Sequence, residues 1–373
     1  MKFKFFLTII IAAFLIQGCV LTRESEVETE IETEEVFEEE SEEESEPVSE
    51  TETIETPAPT EEITTAPSST VSYSCPSGDC ITSCIADLSA KTGEWSANVD
   101  GTVDSTETFD AEGLPLVTYQ VDGEKLTQPE LNQDIPEWLI PYQEDIDFHT
   151  RLWGLFYSIL PEQEKDVVTQ FAVMTDGVDE ILASAYQSDN AIDEWVLEVD
   201  ILDTSNLSNL VLTIIHELGH LVTSNPTQVV LSEAIFNDPE NDTIYEDEMN
   251  ACDSFFPGEG CSLPDSYINL FYERFWMDIN DEWTQVNEIE DQEELDQALN
   301  DLYQKYSDQF VSDYAITNPS EDIAESFTQF IGAPKPEGNT IAEEKILFFY
   351  EFPELVDLRA EISSSFCDYV NEE

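Results

Sequence analysis

The stretch VLTIIHELGHLVT, residues 211–223, decides how the rest of the chain is read. It holds His216 and His220, two of only three histidines in 373 residues, inside an otherwise apolar run. On a helix at 100° per residue, Thr213, His216, Glu217 and His220 share an arc of roughly 100°. Leu207, Leu210, Val211, Leu212, Ile214, Ile215, Leu218, Leu221 and Val222 cover the remainder. A helix apolar on so many sides is expected to be buried. Two imidazoles and a carboxylate on it then cost several kcal/mol unless they are satisfied. A divalent cation would satisfy them, because residues i and i+4 stack one above the other and both rings reach one ion. Neighbouring carboxylates are the other means of satisfying the pair.

The spacing is the H-E-x-x-H arrangement of zinc hydrolases, in which the glutamate, here Glu217, sits beside the ion and holds water. Zinc needs a third protein ligand. No histidine follows His220, so HELGHLVTSNP lacks the extension that would supply one. A carboxylate on a later helix is required, and Glu321, Asp322 and Glu325 precede a helical run near residue 330. Glu321 and Glu325 lie one turn apart on one face.

The N-terminus reads MKFKFFLTIIIAAFLIQGC. Two lysines, an apolar run too short to span a bilayer and a small residue before Cys19 give the shape of a lipoprotein signal. Residues 1–18 are expected to be removed and Cys19 to carry lipid, anchoring the chain to the outer face of a bacterial cell membrane. Residues 19–72 are nearly all Glu, Ser, Thr and Pro and cannot bury enough apolar surface to fold. They are expected to form a disordered acidic tether reaching roughly 40 Å.

The formal net charge is −72. The first 72 residues hold 19 Glu and three bases, so of 84 acidic and 12 basic residues 65 and 9 remain in the rest. Such a surface excludes nucleic acid as a partner and suits a self-repelling monomer in its medium, basic substrates or bound cations. Six cysteines follow Cys19, an even number that fits disulfides in an exported protein. Cys252 and Cys261 bracket a Pro/Gly loop and are expected to pair. In CPSGDCITSC, disulfides are expected rather than a metal knuckle, since no histidine is near.

Residues 73–135 are read as a small Cys-containing N-terminal region, with Val99-Asp100-Gly101 and Val121-Asp122-Gly123 as hairpin turns. Residues 136–373 are read as the catalytic domain. A helix is predicted over 145–159, which contains His149, a residue assigned no role. Strands are predicted for QFAVMTDG and for EWVLEVDIL (194–202), with N-caps for the key helix at 203–206. A long helix over 265–283, another over 291–306, one over 321–331 and a helical C-terminus interrupted near Pro353 follow. Early strands and late helices give an α+β class.

The run Tyr314-Ala-Ile-Thr-Asn-Pro-Ser-Glu321-Asp-Ile-Ala-Glu325-Ser-Phe327, about 100 residues after HELGH, resembles the gluzincin metallopeptidases. The similar group includes the catalytic domain of anthrax lethal factor, the clostridial Pro-Pro endopeptidases and zinc-binding lipoproteins. The resemblance covers roughly residues 195–225 and 312–330. It implies a zincin-like domain with a small mixed sheet, an HExxH active-site helix and a mostly helical C-terminal half. It implies Zn²⁺ held by His216, His220 and Glu321, with Glu325 orienting a ligand histidine. It further implies Glu217 as general base, Tyr314 as donor to the substrate oxygen, and a peptide or protein substrate lying along EWVLEVDIL as the sheet edge. The chain would be a membrane-anchored extracytoplasmic zinc metallopeptidase. Two other readings stand beside it: a non-catalytic zinc-containing surface-binding lipoprotein, and a cation-binding or adhesive surface protein acting through its acidity.

Overall fold

The computed structural model describes residues 80–91, 95, 97, 109, 113–177 and 181–372. The expected signal, Cys19, the tether and the turn at 99–101 lie outside them. From residue 80 the elements run α1 (Ile81–Ser89), the hairpin β1 (Leu114–Asp122) and β2 (Lys125–Leu131), then α2 (Ile140–Gln143), α3 (Ile146–Ile159) and α4 (Glu162–Lys165). Next come β3 (Val168–Thr175), β4 (Ala183–Gln187), β5 (Trp195–Asp200) and α5 (Leu207–Ser224). A small ribbon of β6 (Val229–Leu231) and β7 (Gly260–Ser262) encloses α6 (Glu233–Asn237) and α7 (Asp242–Ala251). The C-terminal half is helical: α8 (Tyr267–Phe275), α9 (Asn280–Asn287), α10 (Gln292–Lys305), α11 (Pro319–Gly332), α12 (Ile341–Phe349) and α13 (Pro353–Glu372). The class is mixed α+β, as the order of strand and helix signals predicts. Among the described residues no helix is long and apolar enough to cross a membrane.

The main sheet has the order β2-β1-β3-β5-β4. The β1–β2 turn sits at Gly123, whose φ of 59° favours glycine. β1 pairs antiparallel with β3, β3 parallel with β5, and β5 antiparallel with β4. Part of the expected N-terminal region thus belongs to the same sheet as β3 and β5. EWVLEVDIL is therefore an inner strand, flanked by β3 and β4, and the expectation that it forms the edge is corrected. The edge on that side of the sheet is β4, ASAYQ, whose small and polar residues give little strand signal in the sequence, and β2 forms the opposite edge. All of β5 but Glu198 is buried, as an inner strand requires.

Helix α3 lies on the sheet through Trp153 and Phe156, whose rings meet Phe171 of β3 at centroid distances of 5.4 and 5.3 Å. His149 on this helix is fully buried and satisfied between the Tyr119 hydroxyl (2.8 Å) and the Tyr142 carbonyl (2.9 Å), a core role. Helix α13 packs on α3 and α1, and the Cys84–Cys367 disulfide joins α1 to α13. Cys80 is disulfide-bonded as well. The expected Cys252–Cys261 pair is formed and closes the loop before β7.

The helix predicted over 265–283 is two helices. The amides of Trp276 and Met277 both donate to the Tyr272 carbonyl (2.9 and 3.2 Å), which ends α8. The bend turns the Trp276 ring into the core, where it is fully buried against Trp283 and Phe310.

Candidate metal centre

The site is built where α5 crosses α11. The Asn206 side chain caps α5 by accepting from the Asn209 amide, as the N-cap signal predicts. Its apolar positions 207, 210, 211, 214, 215, 218, 221 and 222 are all buried. Helix α11 starts with Pro319 after Asn318, whose side chain accepts from the Ser320 and Glu321 amides at 2.9 and 3.0 Å. That cap sets the first turn of α11, and Glu321 projects from it.

Residues more than 100 positions apart in sequence meet here. The Nε2 atoms of His216 and His220 are 3.1 Å apart. Glu321 Oε2 lies 3.0 Å from His216 Nε2 and 3.4 Å from His220 Nε2. His216 and Glu321 are only 7 and 6 % exposed. The other His216 nitrogen, Nδ1, lies 2.9 Å from Glu325 Oε1. With Nδ1–H donating to Glu325, the His216 Nε2 lone pair faces a second imidazole nitrogen and a carboxylate oxygen. Three electron-rich atoms converging in a dry site repel one another unless a proton or a metal cation lies among them. Ligand atoms around a tetrahedral zinc at 2.0–2.2 Å stand roughly 3.3 Å apart. The observed triangle of 3.1, 3.0 and 3.4 Å has that size. His216, His220 and Glu321 thus form a buried group able to hold a metal ion.

The electrostatics favour positive charge at this spot. Burial lowers the pKa of His216, but hydrogen bonds to Glu321 and Glu325 outweigh it and hold the ring well above its ordinary value. Burial raises the Glu321 carboxyl, and the two histidines reverse this and hold it well below the usual range. Glu217 is 2 % exposed. Burial pushes it up to about 7, against the pull of His216 and His220, while the Ala185 amide of β4 donates to it.

Tyr314 sits in a 3-10 turn (Tyr314–Ile316), its ring 6.0 Å from that of His216 and its hydroxyl hydrogen-bonded to Glu321. Burial first, then Glu321 and Glu217, keep the phenol protonated. All six residues singled out within the fold (His216, Glu217, His220, Tyr314, Glu321 and Glu325) are therefore gathered in one place.

Three contributors were not visible in the sequence. Ser312 donates to Glu325 Oε2 at 2.6 Å and accepts from the Ala315 amide at 3.1 Å, so one hydroxyl joins the Glu325 carboxylate to the turn carrying Tyr314. Ala185 supplies an amide to Glu217 from a strand with a weak signal. Glu259, in the Cys252–Cys261 loop, brings a half-buried carboxyl into electrostatic contact with His220. Only the Tyr314-to-Phe327 motif hints at Ser312, which lies two residues before it.

A second cluster, Asp176, Asp200 and Asp203, lies at the ends of β3 and β5. Asp200 accepts from the Asp176 and Leu202 amides, both at 2.7 Å, and so braces the strand ends.

No protein-family model, no curated protein and no solved structure matches this chain.

Proposed function

We propose that this chain is a zinc metallopeptidase of the gluzincin kind, lipid-anchored outside the cell and acting on peptide bonds. The observation that carries the reading is the convergence of His216 Nε2, His220 Nε2 and Glu321 Oε2 beside a buried, unliganded-side carboxyl, Glu217. A zinc ion held by those three atoms supplies Lewis acidity, which polarises a carbonyl and acidifies water.

The chain's own residues do the rest. Glu217, with a pKa near 7, is suited to take a proton from water and return it to the leaving nitrogen. Its Ala185 hydrogen bond fixes the carboxylate, so it need not reorganise during the step. The Tyr314 hydroxyl, held protonated, donates to the oxygen on which negative charge develops. Glu325 holds Nδ1–H of His216 and thereby keeps Nε2 free as a ligand. The β4 edge, beside α5, is the backbone on which an extended peptide can pair.

A site that only held zinc for structural or binding purposes would have no use for a desolvated base at position 217. The test compares wild type with Glu217→Ala in zinc content and in cleavage of a peptide library. Cleavage by wild type and none by a variant that still holds zinc supports the proposal. A zinc-loaded wild type that cleaves nothing removes it in favour of the binding reading.

A further inference from the structure

One residue beyond Glu321, the chain turns a second acid the other way. Asp322 and Lys345, from α11 and α12, are both fully buried, and Lys345 Nζ donates to Asp322 Oδ2 at 2.6 Å. The Trp276 indole N–H donates to the same oxygen at 2.7 Å. The ammonium lies 3.9 Å from the Phe310 ring centroid, with the Phe271 and Trp276 rings at 5.9 and 6.0 Å. The other oxygen, Oδ1, is buried and makes no hydrogen bond.

Stability does not account for this arrangement. A buried ion pair gains little over well-packed apolar side chains of the same volume, and often loses to them. An oxygen left without a hydrogen bond worsens the comparison. The pair does provide direction. Apolar contacts between helices tolerate rotation, whereas a charge-assisted hydrogen bond to one oxygen does not. Asp322 is bonded at once to α12 and to the bend after α8, so α11 is pinned from two sides about its own axis.

The neighbouring position makes that pinning matter. Side chains end about 5 Å from a helix axis, so a rotation of about 20° sweeps a carboxylate by about 2 Å. A metal site tolerates only about 0.2 Å in its ligand distances. Glu321 and Glu325 both ride on α11, one as a proposed ligand and one on His216.

We propose that the buried Asp322–Lys345 pair, with Trp276, is a positioning device for the metal centre, fixing the rotation of α11 and so the aim of Glu321 and Glu325 at His216. The proposal rests on Glu321 as a metal ligand and not on peptide hydrolysis.

The test is zinc affinity of the full chain by competition with a chelator, together with the visible spectrum of the cobalt-substituted protein. Asp322→Leu combined with Lys345→Met replaces the pair by apolar side chains. The expected double variant keeps the circular dichroism and melting temperature of wild type, binds zinc about 10–100-fold more weakly and shows an altered cobalt spectrum. Zinc affinity within about twofold of wild type with an unchanged cobalt spectrum overturns the proposal, because a purely structural pair moves neither. Should the double variant not fold, Trp276→Phe removes only the indole donor. A several-fold loss of affinity then supports the role, and wild-type affinity overturns it. A wild type that binds no zinc overturns the metal centre and this inference together, whereas zinc binding without peptide cleavage overturns only the hydrolase.

Discussion

A methyl group on Gly219 would stand 3.1 Å from the Cα of Ala324, so α5 and α11 meet at a point where one of them has no side chain. The same Cβ would lie 3.3 Å from the Phe327 ring. The glycine of HELGH is thus a spacer between the helix that carries the histidines and the helix that carries Glu321. Gly219→Ala gains about 1 kcal/mol of helix propensity and incurs about 1–3 kcal/mol of overpacking. The expected result is a melting temperature near wild type and zinc binding about tenfold weaker, since the ligands are pushed apart rather than removed. Calorimetry and chelator competition on the same sample check both halves.

Two acids one turn apart on α11 should behave differently. Glu321→Ala removes a proposed ligand atom, and the protein is expected to come through dialysis without zinc. Glu325→Gln keeps the shape but weakens the hold on His216 Nδ1, and affinity should fall about 10–100-fold. Ser312→Ala, one step further out, should lose less than Glu325→Gln. Metal content by atomic emission ranks the three. A reversed order for Glu321 and Glu325 would exchange their roles.

The Cys84–Cys367 and Cys252–Cys261 disulfides close loops of very different length, 283 and 9 residues apart in sequence. Chain-entropy reasoning gives the longer loop about 5–6 kcal/mol and the shorter about 2–3 kcal/mol. Cys84→Ala with Cys367→Ala should therefore lower the denaturant midpoint more than Cys252→Ala with Cys261→Ala. The second pair lies in the loop of Glu259, beside His220, so its loss should affect the site more than its small stability cost suggests. Urea unfolding with parallel zinc titration reads both.

Stability should rise as pH falls from 8 to 5. Burial pushes Glu164 and Glu198 up to about 7, each partly opposed by a side-chain hydrogen bond, from Asn225 and from Ser184. A carboxyl whose folded pKa is raised binds its proton more tightly when folded. Its contribution is full below the unfolded value near 4.5 and is lost as pH rises through 7. For Glu198→Gln, the slope of melting temperature between pH 5 and 8 should flatten by an amount equivalent to about 2–3 kcal/mol. An unchanged slope would show that Glu198 stays ionised in the fold.

The sequence alone determined the helix that carries His216 and His220 and its cap, the class and most of the C-terminal helices. These depend on local periodicity and on residues a few positions apart, such as Asn206 accepting from the Asn209 amide. It also determined that two buried imidazoles needed a partner, because desolvation follows from the apolar faces around them. The motif around Tyr314 pointed to Glu321. Tertiary structure alone decided that Glu321 Oε2 reaches both rings, that β4 rather than β5 lies at a sheet edge, and that α8 stops at Phe275. It also brought in Ser312, the Ala185 amide, Glu259 and the Asp322–Lys345 pair. Each of these is set by contacts between distant segments, whose directions are fixed only when the helices and the sheet pack. No periodicity along the chain carries that information.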